Sequence, residues 1–134
     1  MGADANIKTI KMIYEAFGRG DVAAILGSVT DDVDWASEAS GKGAPWYGGH
    51  HGHDGVAAFF TEFGSAMEVE DFTPITFAGT DTEVLTVVHC AATSRATGRR
   101  MDQNLHHYFR FRNGKIDYYR GTEDTAQTEG ALTT

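Results

Sequence analysis

The chain has 134 residues, 41% of them apolar and 22% charged, which suits one domain with one core that buries about two-thirds of the surface exposed by the unfolded chain. Nineteen acidic against eleven basic residues give a formal charge of −8 with no Lys/Arg run, a surface that repels phosphate backbones and anionic lipid and so argues against nucleic-acid and membrane partners. The one cysteine, Cys90, sits in an apolar run as a small buried residue with no intrachain disulfide partner; with neither a signal-peptide pattern nor an apolar run long enough to cross a bilayer, the cytoplasm is the expected compartment.

From Asn6, the residues Ile7, Ile10, Ile13, Tyr14 and Phe17 recur at three- and four-residue steps, with Asp4 or Asn6 available as N-cap. This predicts a first helix that stops at Gly18-Arg19-Gly20. Asp21 then caps a short second helix with Val22, Ile25, Leu26 and Val29 on one side, packed on the first as a hairpin. Val33 to Ser37 alternates as a short strand, with Val33, Trp35 and Ser37 on one face. Ala39 to His53 is a glycine-rich loop placed to cover a pocket. Its His50, His51 and His53 beside Asp54 have the donor types of a zinc site. Two are adjacent in a loop that no rigid element orients, however, so a solvated or lid loop without metal is expected. Asp54 caps a third helix, with Val56, Phe59, Phe60, Phe63 and Met67 on its apolar side.

Beyond Met67 the period becomes extended. Strands are predicted over Phe72 to Ala78 and Glu83 to Ser94, with turns near Gly79 to Thr82 and Thr97-Gly98. Two long β-rich runs follow, joined by Asn113-Gly114, the dipeptide that most easily gives both central residues of a type I′ turn a positive φ. Counting outward pairs Arg112 with Lys115, Phe111 with Ile116, Arg110 with Asp117, Phe109 with Tyr118, Tyr108 with Tyr119 and His107 with Arg120. Leu105 then meets Thr122, and Gln103 meets Asp124.

On that count one face gathers Leu105, Phe109, Phe111, Ile116 and Tyr118 with His107, Arg120, Thr122, Gln103 and Asp124. Buried ions need partners, so a pocket is expected there. A one-residue slip would send this set to the opposite face. Tyr108, Arg110 and Tyr119 lie on the outer face. The tail from Gln127 to Thr134 is expected to fray. Three helices followed by antiparallel strands give an α+β fold with helices on one sheet face, in a single domain spanning 1–134.

The run of these elements resembles the nuclear transport factor 2-like superfamily, and within it the SnoaL-like polyketide cyclase and ketosteroid-isomerase-related group. The resemblance rests on Tyr14-Glu15-Ala16-Phe17 to Gly20-Asp21, Asp31-Asp32-Val33-Asp34-Trp35, and Gly52-His53-Asp54-Gly55-Val56 to Phe60. Asn104 to Ile116 and Tyr119-Arg120 to Asp124-Thr125-Ala126 complete it. It implies a cone-shaped, curved, mostly antiparallel sheet whose concave face is covered by the three N-terminal helices. The sheet encloses an apolar cavity, and dimers form through its outer face, here Tyr108, Arg110 and Tyr119.

Family members include isomerases, cyclases, dehydratases and epoxide hydrolases that use neither a metal nor an organic cofactor, along with non-catalytic binders. Asp124 matches the acid/base aspartate of SnoaL-like cyclases and limonene-type epoxide hydrolases, His107 matches an inward histidine, and Arg120 a common arginine. The ketosteroid isomerase pattern itself is not kept: its base falls on Ser37 and its helix tyrosine on Ile13, one residue from Tyr14.

The resulting expectation is a cofactor-independent isomerase or cyclase acting on a hydrophobic, carbonyl-bearing molecule. Asp124 is the candidate base, its alternative a capping box with Gln127. His107 would relay the proton, or serve as a hydrogen-bonded core histidine. Arg120 would stabilise enolate charge, or neutralise a pocket carboxylate. Trp35, Trp46, Tyr47, Phe59, Phe63, Gln103, Leu105, Phe109, Tyr118 and Thr122 are the candidate substrate contacts. A non-catalytic hydrophobic-ligand binder, an epoxide hydrolase or dehydratase of the same fold, and a filled-core interaction dimer are the competing readings.

Overall fold

The computed structural model describes residues 2–133. Helix α1 (Ala3–Arg19) turns its stripe of Ile10, Ile13 and Tyr14 inward and ends at Gly20, whose φ of 70° lets its N–H reach back to the Ala16 and Phe17 carbonyls. Asn6 is buried on α1, and its Nδ2 donates to the Asp81 carbonyl at 2.9 Å, tying the helix to a strand turn.

Helix α2 (Val22–Leu26) is capped by Asp21, which accepts from the Ala24 N–H at 3.1 Å. It is shorter than its apolar spacing suggests. Gly27 ends it, and the Ser28 carbonyl accepts the Ile116 N–H at 2.9 Å, so strand β1 (Val29–Ser37) begins four residues ahead of the expected Val33. Within the glycine-rich loop a four-residue strand β2 (Gly48–His51) pairs antiparallel with β1. Helix α3 (Gly52–Ala66) follows directly, its Asp54 in the first turn but not at the cap, and buries Val56 and Phe59.

Strand β3 (Met67–Gly79) starts at the last residue of the helix pattern, well before Phe72, because the exposed Glu68 alternates with the inward Met67 and Val69. Strands β4 (Glu83–Ser94), β5 (Arg100–Arg112) and β6 (Lys115–Thr122) complete a mixed sheet of order β2-β1-β6-β5-β4-β3, in which only β1 and β6 run parallel. Helix α4 (Thr125–Leu132) occupies the tail expected to fray. Thr128 and Ala131 are buried, and the Thr97 hydroxyl donates to the Ala131 carbonyl at 2.5 Å. The architecture is therefore α+β, with a six-stranded sheet that curves into a cone but does not close. Among the described residues no helix is long and apolar enough to cross a membrane.

The tight turn forms as its sequence demands, with Asn113 at φ 52° and Gly114 at φ 80°. Its register departs from the count two residues later. Arg112 pairs with Lys115 and Phe111 with Ile116, but Arg110 pairs with Tyr118, leaving Asp117 as the extra residue of a β-bulge. From there every side chain of β6 changes face. Phe109 meets Tyr119, Tyr108 meets Arg120 and His107 meets Gly121. Tyr119 is thus inside at 4% exposure, while Tyr118 and Arg120 lie outside.

Candidate functional site

The concave face of the sheet and helices α1 and α3 line an apolar hollow, partly open to solvent, with a cavity volume of about 70 Å³. Ile13, Tyr14 and Phe17 of α1, Phe59, Phe60 and Phe63 of α3, and Trp46 of the loop form its roof. Trp35, Ser37, Phe72, Leu105, His107, Phe109 and Tyr119 form its strand wall, and Glu123 stands where β6 ends. Aromatic rings lock this lining together: Trp35 stacks on Tyr119 at 4.1 Å between centroids, and Trp46 meets Phe63 edge-on at 4.9 Å. The loop carrying Trp46 is seated by its glycines, since a Cβ on Gly43 would fall 2.1 Å from Glu129 of α4.

Few polar groups face this hollow. Tyr14 Oη lies 2.7 Å from His107 Nδ1 and 2.6 Å from Thr86 Oγ1. The surface that His107 retains belongs to the hollow; burial, helped by the neighbouring His106, pushes its imidazole down to about 3, so it is neutral at physiological pH. Tyr119 Oη has no hydrogen-bond partner among the described residues. It fills the space a Cβ on Gly121 would need, 2.3 Å from that position, with His107 Cδ2 at 3.4 Å on the other side. The glycine after Arg120 is therefore what leaves room for this phenol, whose ring lies 5.3 Å from that of His107 between centroids. Burial also raises the Tyr14 and Tyr119 phenols, keeping both protonated.

Glu123 supplies the carboxyl of the hollow. Burial pushes it above the ordinary carboxylate range and the charge of Asp124 adds to this, while hydrogen bonds from Thr128 and Gln103 oppose it. The Gln103 amide donates to Thr128 Oγ1 at 2.8 Å, and the Thr128 hydroxyl donates in turn to Glu123. Glu123 and Ser37 also line an open polar cleft at the ends of β1 and β6, giving the carboxyl a route for proton exchange with solvent. Such a group can hold a proton and pass it on.

Of the residues predicted for the site, His107, Trp35, Trp46, Phe59, Phe63, Leu105 and Phe109 line the hollow. The others are placed elsewhere, and for identifiable reasons. Asp124 is exposed and caps α4, accepting from the Gln127 N–H at 3.2 Å; its own N–H donates to Gln103 Oε1 at 2.9 Å, so it is a simple N-cap outside the hollow, without the reciprocal Gln127 bond of a capping box. The bulge turns Arg120 outward, where it meets Asp34 at 2.9 Å and Glu38 at 3.5 Å and lies over Tyr118.

Tyr118, flanked by Arg110 and Arg120, and the exposed Thr122 are on the outer side for the same reason. Gln103 is buried behind the wall, bracing Glu123, and Tyr47 packs against Trp46 without lining the hollow. Tyr119, expected outside, is inside. Ile13, Tyr14, Phe17, Ser37, Phe60, Phe72, Tyr119 and Glu123 are the lining residues that sequence reasoning missed. Tyr14 and Phe60 carried a signal, since both lie on the apolar stripes of their helices; Glu123 and Tyr119 depended on a bulge with no mark in the sequence.

Two of the three imidazoles predicted in the glycine-rich loop make structural contacts. His50 Nε2 lies 2.7 Å from Glu62 Oε1, and His53 Nε2 lies 3.1 Å from the Val29 carbonyl. Among the described residues no group of three or more His, Cys, Asp or Glu is arranged to hold a metal.

The sequence profile of the SnoaL-like domain matches residues 10–119. No curated protein matches the chain. Among solved structures, an NTF2-like protein of unknown function from Burkholderia pseudomallei is 27% identical over 97% of this chain and 98% of its own, with a TM-score of 0.89. TerC, co-crystallised with polyporic acid, is 22% identical over 97% of this chain and 99% of its own, with a TM-score of 0.85. A provisionally named polyketide cyclase from Xanthomonas campestris is 17% identical over 99% of this chain and all of its own, with a TM-score of 0.79.

Proposed function

Because the chain belongs to the SnoaL-like domain family, of the NTF2-like superfamily, we propose that it is a cofactor-independent isomerase or cyclase, acting by acid–base chemistry on a hydrophobic, carbonyl-bearing ring compound. The observation that carries this reading is the presence, in one apolar hollow, of a carboxyl with a raised pKa and a phenol with no protein partner, Glu123 and Tyr119. Glu123 as carboxylate takes a proton from the carbon next to the substrate carbonyl. Its raised basicity brings it closer to that task than an exposed carboxylate would be.

The electron pair left behind moves onto the carbonyl oxygen. Tyr119 O–H donates a hydrogen bond to this developing enolate, in a site that excludes competing water. Isomerisation ends when Glu123 returns the proton to a different carbon. Cyclisation ends when the enolate carbon attacks a second carbonyl of the same molecule and the new alkoxide takes the proton from Glu123. Another protein of this fold has been crystallised with a small molecule, polyporic acid, and further ones bear cyclase and isomerase names, which supports the class of chemistry.

The test needs no known product. Ring-bearing ketones are screened by quenching of Trp35 and Trp46 fluorescence, and the tightest binders are followed for hydrogen–deuterium exchange at the carbon next to the carbonyl. Glu123→Gln should lower the exchange rate by about 100-fold or more with ligand affinity kept, while Asp124→Asn should leave it within a fewfold. If no bound ketone exchanges faster with the parent protein than in buffer, the enzyme reading fails and a binding protein remains.

A further inference from the structure

The hydrogen-bonded chain behind the hollow decides what His107 offers to a ligand. Thr86, Tyr14 and His107 come from β4, α1 and β5, and their polar atoms lie in line at 2.6 and 2.7 Å. The two hydroxyls each carry one proton that needs an acceptor, and the chain can be filled in two directions. In one, the Thr86 hydroxyl donates to Tyr14 Oη and Tyr14 donates to His107 Nδ1, so both O–H groups are used. In the other, an Nδ1–H donates to Tyr14, Tyr14 donates to Thr86 Oγ1, and the Thr86 proton has nowhere to go.

Thr86 is 3% exposed, does not line the hollow and has no other hydrogen-bond partner among the described residues. The second direction thus strands a buried donor, which costs its full desolvation. Apart from Thr86, Tyr14 Oη has no acceptor other than His107 Nδ1 among the described residues, its ring lying against those of Phe72 and Phe77.

We infer that Thr86 and Tyr14 fix His107 as the tautomer with its proton on Nε2, making the hollow a donor site that selects ring compounds carrying an uncharged acceptor oxygen. The Nε2 side of the imidazole has no hydrogen-bond partner among the described residues, and the His107 and Tyr119 rings lie 5.3 Å apart between centroids in the lining of the same hollow, so both donors are offered to a carbonyl oxygen bound there. Among the described residues no Lys or Arg lines the hollow. An anionic ligand would meet Glu123 without a compensating cation, whereas a neutral ketone or quinone oxygen meets donors only. Tyr14 and Thr86 are positioning residues in this scheme, acting through His107. The tautomer follows from the hydrogen-bond geometry alone; the ligand class rests also on the reading of the hollow as the substrate site.

Long-range proton–nitrogen correlation on the 15N-labelled protein at neutral pH reads the tautomer directly, with the His107 signals assigned by their loss in His107→Gln. The expected result is Nδ1 at the unprotonated position and Nε2 at the protonated one. Thr86→Val should keep this pattern, since Tyr14 still needs an acceptor, and Tyr14→Phe should give a mixture of tautomers. A parent protein with the proton on Nδ1 overturns the inference.

The ligand class is read with 2-acetylnaphthalene against 2-isopropenylnaphthalene, of similar shape but without the oxygen. The ketone should bind the parent about tenfold tighter, and Tyr14→Phe should shrink that advantage severalfold. Equal affinity of the two compounds, with the Nε2–H tautomer observed, would sink the ligand class and leave the tautomer standing. Failure of either compound to bind would instead count against the hollow as a substrate site.

Discussion

Two histidines of this chain are driven in opposite directions by their surroundings, and the difference sets how stability follows pH. His107, half-buried in the wall of the hollow, has its folded pKa pushed down by desolvation to about 3, below the ordinary histidine value. The unfolded chain therefore takes up a proton that the folded one refuses as pH falls below about 6.5, and stability is lost progressively between there and about pH 3, by up to a few kcal/mol. His89 stands on the outer side with Asp102 and Asp71 each 2.6 Å from its ring nitrogens, and hydrogen bonds to these two carboxylates raise its pKa. Its contribution is complete below about 6.5 and fades as pH rises through the raised folded value. Melting temperatures between pH 4 and 8 check both. His107→Gln should flatten the acid limb relative to the parent, and His89→Gln the limb above neutrality. That His107 points inward was legible from its alternation with Leu105 and Phe109. That it sits so far from titration was not, because its burial depends on packing between segments far apart in sequence, such as the helix of Tyr14, 93 positions away.

The elements were legible wherever a local pattern decides the outcome. Helix α1, strand β4 and the Asn113-Gly114 turn follow from apolar period and turn chemistry, and parity held along β5. It failed along β6 because a bulge is settled by how two strands twist against each other, not by the residue in it: Asp117 gives no sign that it is the unpaired one. The consequence can be measured by a pair of neighbours. Tyr119→Ala should destabilise by about 3–5 kcal/mol, since it removes a buried ring stacked on Trp35, whereas Tyr118→Ala, which loses only surface contacts to Arg110 and Arg120, should cost about 1 kcal/mol or less. Denaturant titration gives both values, and the reverse order would mean that the register lacks the bulge. The move of the candidate base from Asp124 to Glu123 has the same origin. Once β6 changes parity, the carboxyl at its inner end is the earlier of two adjacent acids, and the later one is free to cap α4.

At the scale of the molecule, helices first and a meander of strands after were enough to read an α+β sheet with helices on its concave face. What escaped was how the chain closes the hollow, which uses the α4 helix and the Glu129 seat for the glycines of the Trp46 loop, contacts between segments far apart in sequence. The convex side remains open, with Leu85 53% exposed and set directly opposite Tyr108 across β4 and β5, and Arg110 nearby. We expect this face to join two copies of the chain through Leu85, Tyr108 and Arg110, with Tyr119 excluded by its burial. Light scattering should report a dimer that Leu85→Glu converts to monomer; a monomeric parent at working concentration counts against the expectation. The single unpaired residue of β6 bears on how such a cavity can change over generations. Closing the bulge with Asp117 kept would exchange the inner and outer rows of the strand at a stroke, turning the Arg120 guanidinium inward and the Tyr119 phenol outward, whereas losing the Asp117 codon would leave both rows as they are. A lineage can thus acquire a differently charged interior without any substitution among the residues that form it, and two relatives aligned without regard to that bulge would be credited with each other's chemistry.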